Sequence, residues 1–165
     1  MALIRRLVSG GQSGVDRAAL DVAIELGVAY GGWVPQGGRA EDMTSPPGLL
    51  AVYPGLREHP SHEWPPRTKA NVRDSAGTLL VLDGTRVGPG TLLTRRLARE
   101  MGRPWIEITV GEARARERME KFLTGFDEDI ALNVAGSRES SSPGIYEATR
   151  RLLLTMADLM VVGTK

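Results

Sequence analysis

The sequence predicts a three-layer α/β sandwich, with a mostly parallel central sheet and helices on both faces, folded as a single domain over residues 1–165. Three observations predict it. Short apolar runs alternate with segments of helical period along the chain, the pattern of right-handed βαβ units. Gly77-Thr78-Leu79-Leu80-Val81-Leu82 is a continuous apolar run between turn residues, as in a parallel strand covered on both faces. Three glycine-bearing loops each follow such a run and lead into a helix, as connections do in open parallel sheets.

Leu3 to Val8 reads as the first strand. Val15, Ala18, Ala19, Val22, Ala23 and Leu26 then fall on one helical face, and Gly27 stops that helix. Val28 to Val34 reads as a second strand, ended by Pro35. Residues 35–66 hold seven of the ten prolines and read as one long irregular stretch, the kind of loop that covers a site. A short helix is predicted over Thr68 to Ser75, followed by the strand Gly77 to Leu82. After the loop Asp83 to Thr91, Leu93, Leu97 and Met101 form a helical stripe that Gly102-Arg103-Pro104 breaks. Trp105 to Val110 is the next strand, and Ala115, Met119, Phe122, Leu123 and Phe126 the next stripe. Ile130 to Val134 is the last strand. Ala135 to Gly144 is the third loop, and the final helix carries Ile145, Ala148, Thr149, Leu152, Leu153, Met156 and Met160 inward.

Composition narrows the function. Net charge is +1, so no global charge recruits nucleic acid or an anionic membrane. The absence of cysteine removes disulfides, thiolate metal sites and cysteine nucleophiles. No apolar run approaches the roughly 18 residues of a membrane span. No signal peptide is evident, and a cytoplasmic protein is expected.

The loops carry the chemistry. In Ser9-Gly10-Gly11-Gln12-Ser13-Gly14, the glycines Gly10, Gly11 and Gly14 let backbone N–H groups approach an anion, Ser13 adds a hydroxyl, and the following helix dipole favours negative charge. The plain alternative is a tight turn that lets helix and strand pack. Gln12 replaces the second glycine of a dinucleotide fingerprint, and Trp33-Val34 stand where the ribose-binding acid would be; no G-K-[ST] of a P-loop occurs. In the second loop, Gly88, Gly90 and Thr91 enter a helix, where Thr91 either caps it or binds an anion. In the third, Gly136 and Arg138 suit an oxyanion, with Glu139 beside them; a solvated loop with capping serines fits equally. Arg39, Glu41 and Asp42 lie where site residues or a surface charge cluster would sit. Asp16 suits the helix dipole, and Arg73 with Asp74 suits a local ion pair. His59 and His62 share one loop at a spacing that does not specify a metal site, and no metal ligand is assigned.

Ser9 to Asp21, Gly31-Gly32-Trp33-Val34-Pro35 with Arg39-Ala40-Glu41-Asp42, Asn71 to Ser75 before Gly77-Thr78-Leu79, and Leu132 to Gly136 with Arg138-Glu139-Ser140 and Pro143-Gly144-Ile145-Tyr146 closely resemble the molybdenum cofactor (Moco) carrier protein family. The resemblance covers essentially the whole chain. It implies a Rossmann-like fold, homo-oligomers that are dimers or often tetramers, and a pocket for the phosphate-bearing molybdenum cofactor or a nucleotide. A molybdoenzyme is then the expected partner. The chain also looks like a relative of the LOG-type nucleotide phosphoribohydrolases, once labelled lysine decarboxylases. Those carry P-G-G-x-G-T-x-x-E in the loop matching Gly88 to Thr94, and Thr94 stands in place of their catalytic glutamate. Two functions follow: a carrier that holds an anionic ligand without turning it over, with no catalytic residue, or a nucleotide N-glycosidase in which Glu139 or Asp74 replaces the missing acid. A scaffold used only for assembly is a third.

Overall fold

The structure, a computed structural model, describes residues 1–163. Its elements in chain order are β1 (Ile4–Val8), α1 (Val15–Leu26), β2 (Ala29–Gly31), β3 (Trp33–Val34), α2 (Leu49–Val52), β4 (Arg57–Glu58), α3 (Trp64–Arg73), β5 (Gly77–Leu82), α4 (Pro89–Glu100), β6 (Trp105–Thr109), α5 (Ala115–Leu123), β7 (Ile130–Gly136) and α6 (Ile145–Leu154). Single 3₁₀ turns occur at Gln36–Gly38 and Ala157–Leu159.

The central sheet runs β2-β1-β7-β5-β6, and all its neighbours pair in parallel. Alternation along the strands separates two apolar layers. Leu79 and Val81 of β5 and Ile130, Leu132 and Val134 of β7 pack with α1, α5 and α6. On the opposite face Val72 of α3 packs with Leu97 and Ala98 of α4. The structure is thus the predicted Rossmann-like sandwich with helices on both faces. No helix of the described residues is long and apolar enough to cross a membrane.

Topology places the site. The chain steps outward from β1 to β2 on one side and from β5 to β6 on the other, and β7 returns between β1 and β5. The three central strands are therefore those that the glycine-bearing loops follow, and their carboxyl ends meet at the switch point where ligands bind in such sheets.

The structure corrects several boundaries. The predicted strand Val28–Val34 is broken at Gly32: β2 joins the central sheet, whereas β3 pairs with β4 in a separate two-stranded ladder. Gly32 has φ +137°, and a Cβ there would lie 2.0 Å from the carbonyl oxygen of Ser9, so the chain crosses the first loop at a point only glycine fits. Residues 35–66 are not one irregular loop. They contain α2, β4 and the start of α3, and Val34, Ala40, Leu49, Tyr53 and Leu56 build a satellite core on Leu20 of α1. α3 begins at Trp64 rather than Thr68 because Pro65 and Pro66 occupy its first turn, where no intrahelical N–H is required. For the same reason α4 begins at Pro89, which moves Gly90 and Thr91 from loop to helix. β7 continues to Gly136, and α6 ends at Leu154; Met160, expected on that helix, instead bridges to Ile4 beside the sheet.

Candidate functional site: an arginine-lined cleft

A cleft of about 530 Å³ opens at the carboxyl ends of the central strands. That volume suits a small-molecule ligand. The first loop and α1 contribute Gly10, Gln12 and Asp16; α3 contributes Trp64, Arg67 and Asn71. Gly88, Gly90 and Thr91 come from the approach to α4, and Asn133, Gly136 and Arg138 from β7 and the third loop.

The floor is polar and buried. Arg67 Nη1 donates to the carbonyl of Gly10 at 2.6 Å and lies 3.8 Å from the Asp16 carboxylate. The backbone N–H groups of Gln12 and Gly136 also face the Asp16 carboxyl and favour its charge, so one carboxyl is near both the first and third loops. Burial pushes the Asp16 carboxyl up to about 6, against the opposing pull of Arg67 and those N–H groups. The Nε of Arg67 is buried without a hydrogen-bond partner. Gln12 Oε1 accepts the N–H groups of Ser13 (3.1 Å) and Glu41 (2.8 Å), which leaves Gln12 Nε2 as a second buried, unpartnered donor. Each such donor carries a desolvation cost of about 1–3 kcal/mol that an acceptor in the cleft would relieve.

Trp64 gathers charge above that floor. The guanidinium carbons of Arg39, Arg67 and Arg138 lie 4.4, 5.4 and 6.0 Å from its ring centroid. The quadrupole of the indole attracts each cation, and the cations repel one another. Burial, and then the nearby Arg138, push the Arg67 guanidinium down, with Asp16 opposing; an arginine nevertheless stays protonated near neutral pH. Arg138 has one distant counter-charge, Glu41 at 3.7 Å. Arg67 and Arg138 line the cleft and Arg39 stacks on Trp64 from outside the lining, which concentrates positive charge at this wall.

Comparison with known proteins agrees with this architecture. The model of the circularly permutated YpsA SLOG family matches residues 7–157. The chain belongs to that family. The matched span contains every cleft residue of this SLOG chain. Among solved structures, it is similar to a putative molybdenum carrier protein from Syntrophus aciditrophicus SB, with 36% identity over 93% of this chain and 94% of that one and a TM-score of 0.81. A search of curated proteins gave no match.

Of the residues singled out in the sequence of this SLOG chain, Gly10, Gly88, Gly90, Thr91, Gly136 and Arg138 line the cleft, and Gly11, Ser13, Gly14, Arg39 and Glu139 do not. The second group holds the loops together. Gly11 N–H donates to Ser9 Oγ at 3.1 Å. The Ser13 hydroxyl donates to Glu41 and accepts Glu139 N–H at 3.1 Å. Glu41 also accepts the N–H and hydroxyl of Ser140; burial works against its ionisation, but these donors hold its carboxyl below the usual range. Arg17 grips Asp42 through two 2.9 Å bonds and donates from Nε to Gly11 O, strapping residues 39–43 to the first loop. Arg39 donates to the carbonyl of His62 and stacks on Trp64 from outside the lining.

Neither proposed replacement acid sits in the cleft. Glu139 accepts the N–H groups of Gly144 (2.6 Å) and Tyr146 (2.9 Å), which caps α6. Glu139→Ala is expected to cost about 1–2 kcal/mol in denaturant unfolding, the loss of a helix cap. Asp74 accepts from Trp33 Nε1 at 2.8 Å and pairs with Arg73, near Ala76 and Ile130 where β5 and β7 start, the far edge of the sheet. Thr94 lines the cleft, but its hydroxyl donates to Gly90 O at 3.0 Å. His59 Nδ1 accepts Ser61 N–H, and the described residues contain no group of three His, Asp or Glu placed to hold a metal.

Sequence reasoning missed Trp64, Arg67, Asn71 and Asn133, and passed over Gln12 and Asp16 as a motif departure and a dipole partner. One signal was present. Arg67, Ala70 and Asn71 share a buried stripe of α3 at helical spacing, and two of the three are polar. A polar residue on the inward stripe of a helix needs a partner: Arg67 finds it in Gly10 O and Asp16 at the cleft floor, and Asn71 in the main chain of Trp33.

Proposed function

We propose that the cleft binds and carries a phosphate-bearing anionic ligand, with the molybdenum cofactor as the favoured cargo and a nucleotide as the other member of the same class. The observation that carries this is the pairing of two buried, unpartnered donors, Arg67 Nε and Gln12 Nε2, with the three guanidinium groups around Trp64. An oxyanion supplies acceptors for the first and counter-charge for the second. Trp64, Pro65, Pro89 and Leu93 offer apolar surface for the rest of such a ligand. The molybdenum carrier name of the Syntrophus protein supports the choice of cargo.

The reading is of a carrier rather than an enzyme. The only acid among the described cleft residues, Asp16, is buried and paired with Arg67 at 3.8 Å. Assembly as a dimer or tetramer, a cytoplasmic setting and delivery to a molybdoenzyme belong to the same proposal. Equilibrium dialysis against molybdopterin cofactor and nucleoside monophosphates tests it. Binding that weakens with added salt is the expected result, with AMP recovered intact. Failure to bind any of these ligands overturns the proposal, and release of free base from AMP overturns the carrier reading.

A further inference from the structure

We propose that Gln12, Asp16 and Arg67 form a proton-linked oxyanion subsite at the floor of the cleft, in which Asp16 takes up a proton from solvent when a fully ionised tetrahedral oxyanion binds. This rests on the reading of the cleft as an anion site and specifies the chemistry of its floor.

The charges at the cleft floor conflict. A cleft lined by two arginines, Arg67 and Arg138, holds one acid among its described lining residues, and that acid is buried against the residue with the orphaned donor. Asp16 is 8% exposed, Arg67 7% and Gln12 6%. An anion that accepts from Arg67 Nε and Gln12 Nε2 therefore arrives close to a buried carboxylate. Like charges sharing a desolvated site do not both stay ionised, and the weaker acid keeps the proton. Sulfate holds no proton to give up in the neutral range, so the proton must settle on the protein.

The groups facing Asp16 decide whether it can respond. Arg67 of α3 and Arg17 of α1 favour its charge, as do the N–H groups of Gln12 and Gly136, and burial opposes it. Arg138, from the third loop, acts on Arg67. These influences leave the carboxyl of the free protein at about 6, within reach of a ligand-driven rise across neutral pH. A bound anion draws on the same Arg67 charge that holds Asp16 ionised and adds a negative charge of its own. Both effects move the carboxyl upward. Phosphate esters that still carry one proton would enter without this uptake, so the subsite ranks ligands by charge state.

Titration calorimetry of the intact chain with sodium sulfate, in two buffers of different ionisation enthalpy at pH 7, is the test. Uptake approaching one proton per sulfate is expected, with affinity rising by up to roughly tenfold per pH unit from pH 8 toward 6 and levelling below. Asp16→Asn should bind sulfate with no proton uptake and little pH dependence, and more tightly than the wild type at pH 8. Sulfate binding with no buffer dependence, or a pH profile retained in Asp16→Asn, overturns the proton-linked subsite and leaves the cleft an anion site. If Asp16→Asn does not fold, the wild-type uptake decides alone. Absence of binding by sulfate, molybdopterin cofactor and nucleotides alike overturns the underlying cleft reading instead.

Discussion

Replacing Arg67 by methionine is expected to weaken anion binding by roughly 10- to 150-fold and to destabilise the fold by about 3–5 kcal/mol near neutral pH. The first effect is the loss of a charged donor, Nε, at the cleft floor. The second arises because Arg67 Nη1 holds Gly10 O at 2.6 Å and its charge lies 3.8 Å from buried Asp16. Without it the carboxylate is buried and unpaired, and the group responds by holding its proton more tightly. A carboxyl raised in the folded state contributes stability at acidic pH that is lost as pH rises through its folded value. The deficit of Arg67→Met relative to wild type should therefore be smallest near pH 4 and grow toward pH 8. The double variant Arg67→Met, Asp16→Asn should recover most of the stability and none of the Arg67 contribution to binding. Denaturant unfolding across that pH range and anion titration measure the two effects separately. Stability within 1 kcal/mol of wild type at pH 8 would show that the pair is not what holds the floor.

Gly14→Ala is expected to cost about 3 kcal/mol or more, and to weaken ligand binding through the loops rather than through any contact with ligand. Gly14 has φ +82°, and an added Cβ would lie 2.4 Å from Ser137 O and 2.8 Å from Glu139 N. Those atoms are backbone and cannot swing aside. Close by, Val15 N–H donates to Ser137 O at 3.2 Å, so the first and third loops touch along their main chains. Forcing them apart disturbs the Ser13–Glu139 bond and the Asp16–Gly136 contact that set the cleft wall. Gly88→Ala is the matched control for stability: its φ is −75° and no atom lies within 4 Å of the added carbon, so a change within about 0.5 kcal/mol is expected. Thermal unfolding of the pair decides it, and equal losses would refute the close-approach argument.

The periodicity of the chain was a sufficient guide to β1, α1, β5, β6 and α5, because each buries a face against the central sheet and leaves an apolar pattern with a single period. It failed between residues 28 and 66. There the apolar residues Val34, Leu49, Tyr53 and Leu56 serve a small core beside α1, and elements of two to four residues are too short to display a period. It also placed two helix starts late, since proline reads as a breaker unless the first turn is recognised as the one place that accepts it.

The site was legible to a different depth. The three loops were recognisable from glycines that follow strands, and they do border one cleft. Within them the sequence favoured residues that look exposed and chemical, such as Ser13 and Glu139. Ser13 instead joins loops, and Glu139 caps a helix. Arg67 lies outside all three loops, more than fifty residues after Gly10 in the chain. Nothing local to Trp64-Pro65-Pro66-Arg67 reveals that its guanidinium reaches back to that carbonyl.

Sequence alone determined the layered α/β fold and pointed to the strand ends where three glycine-bearing loops meet, because periodicity and turn chemistry are local properties of the chain. Only the tertiary structure decided which side chains form the floor. A buried charge is defined by what surrounds it, and Gln12, Asp16, Arg67 and Arg138 reach one cleft only after β7 has inserted between β1 and β5.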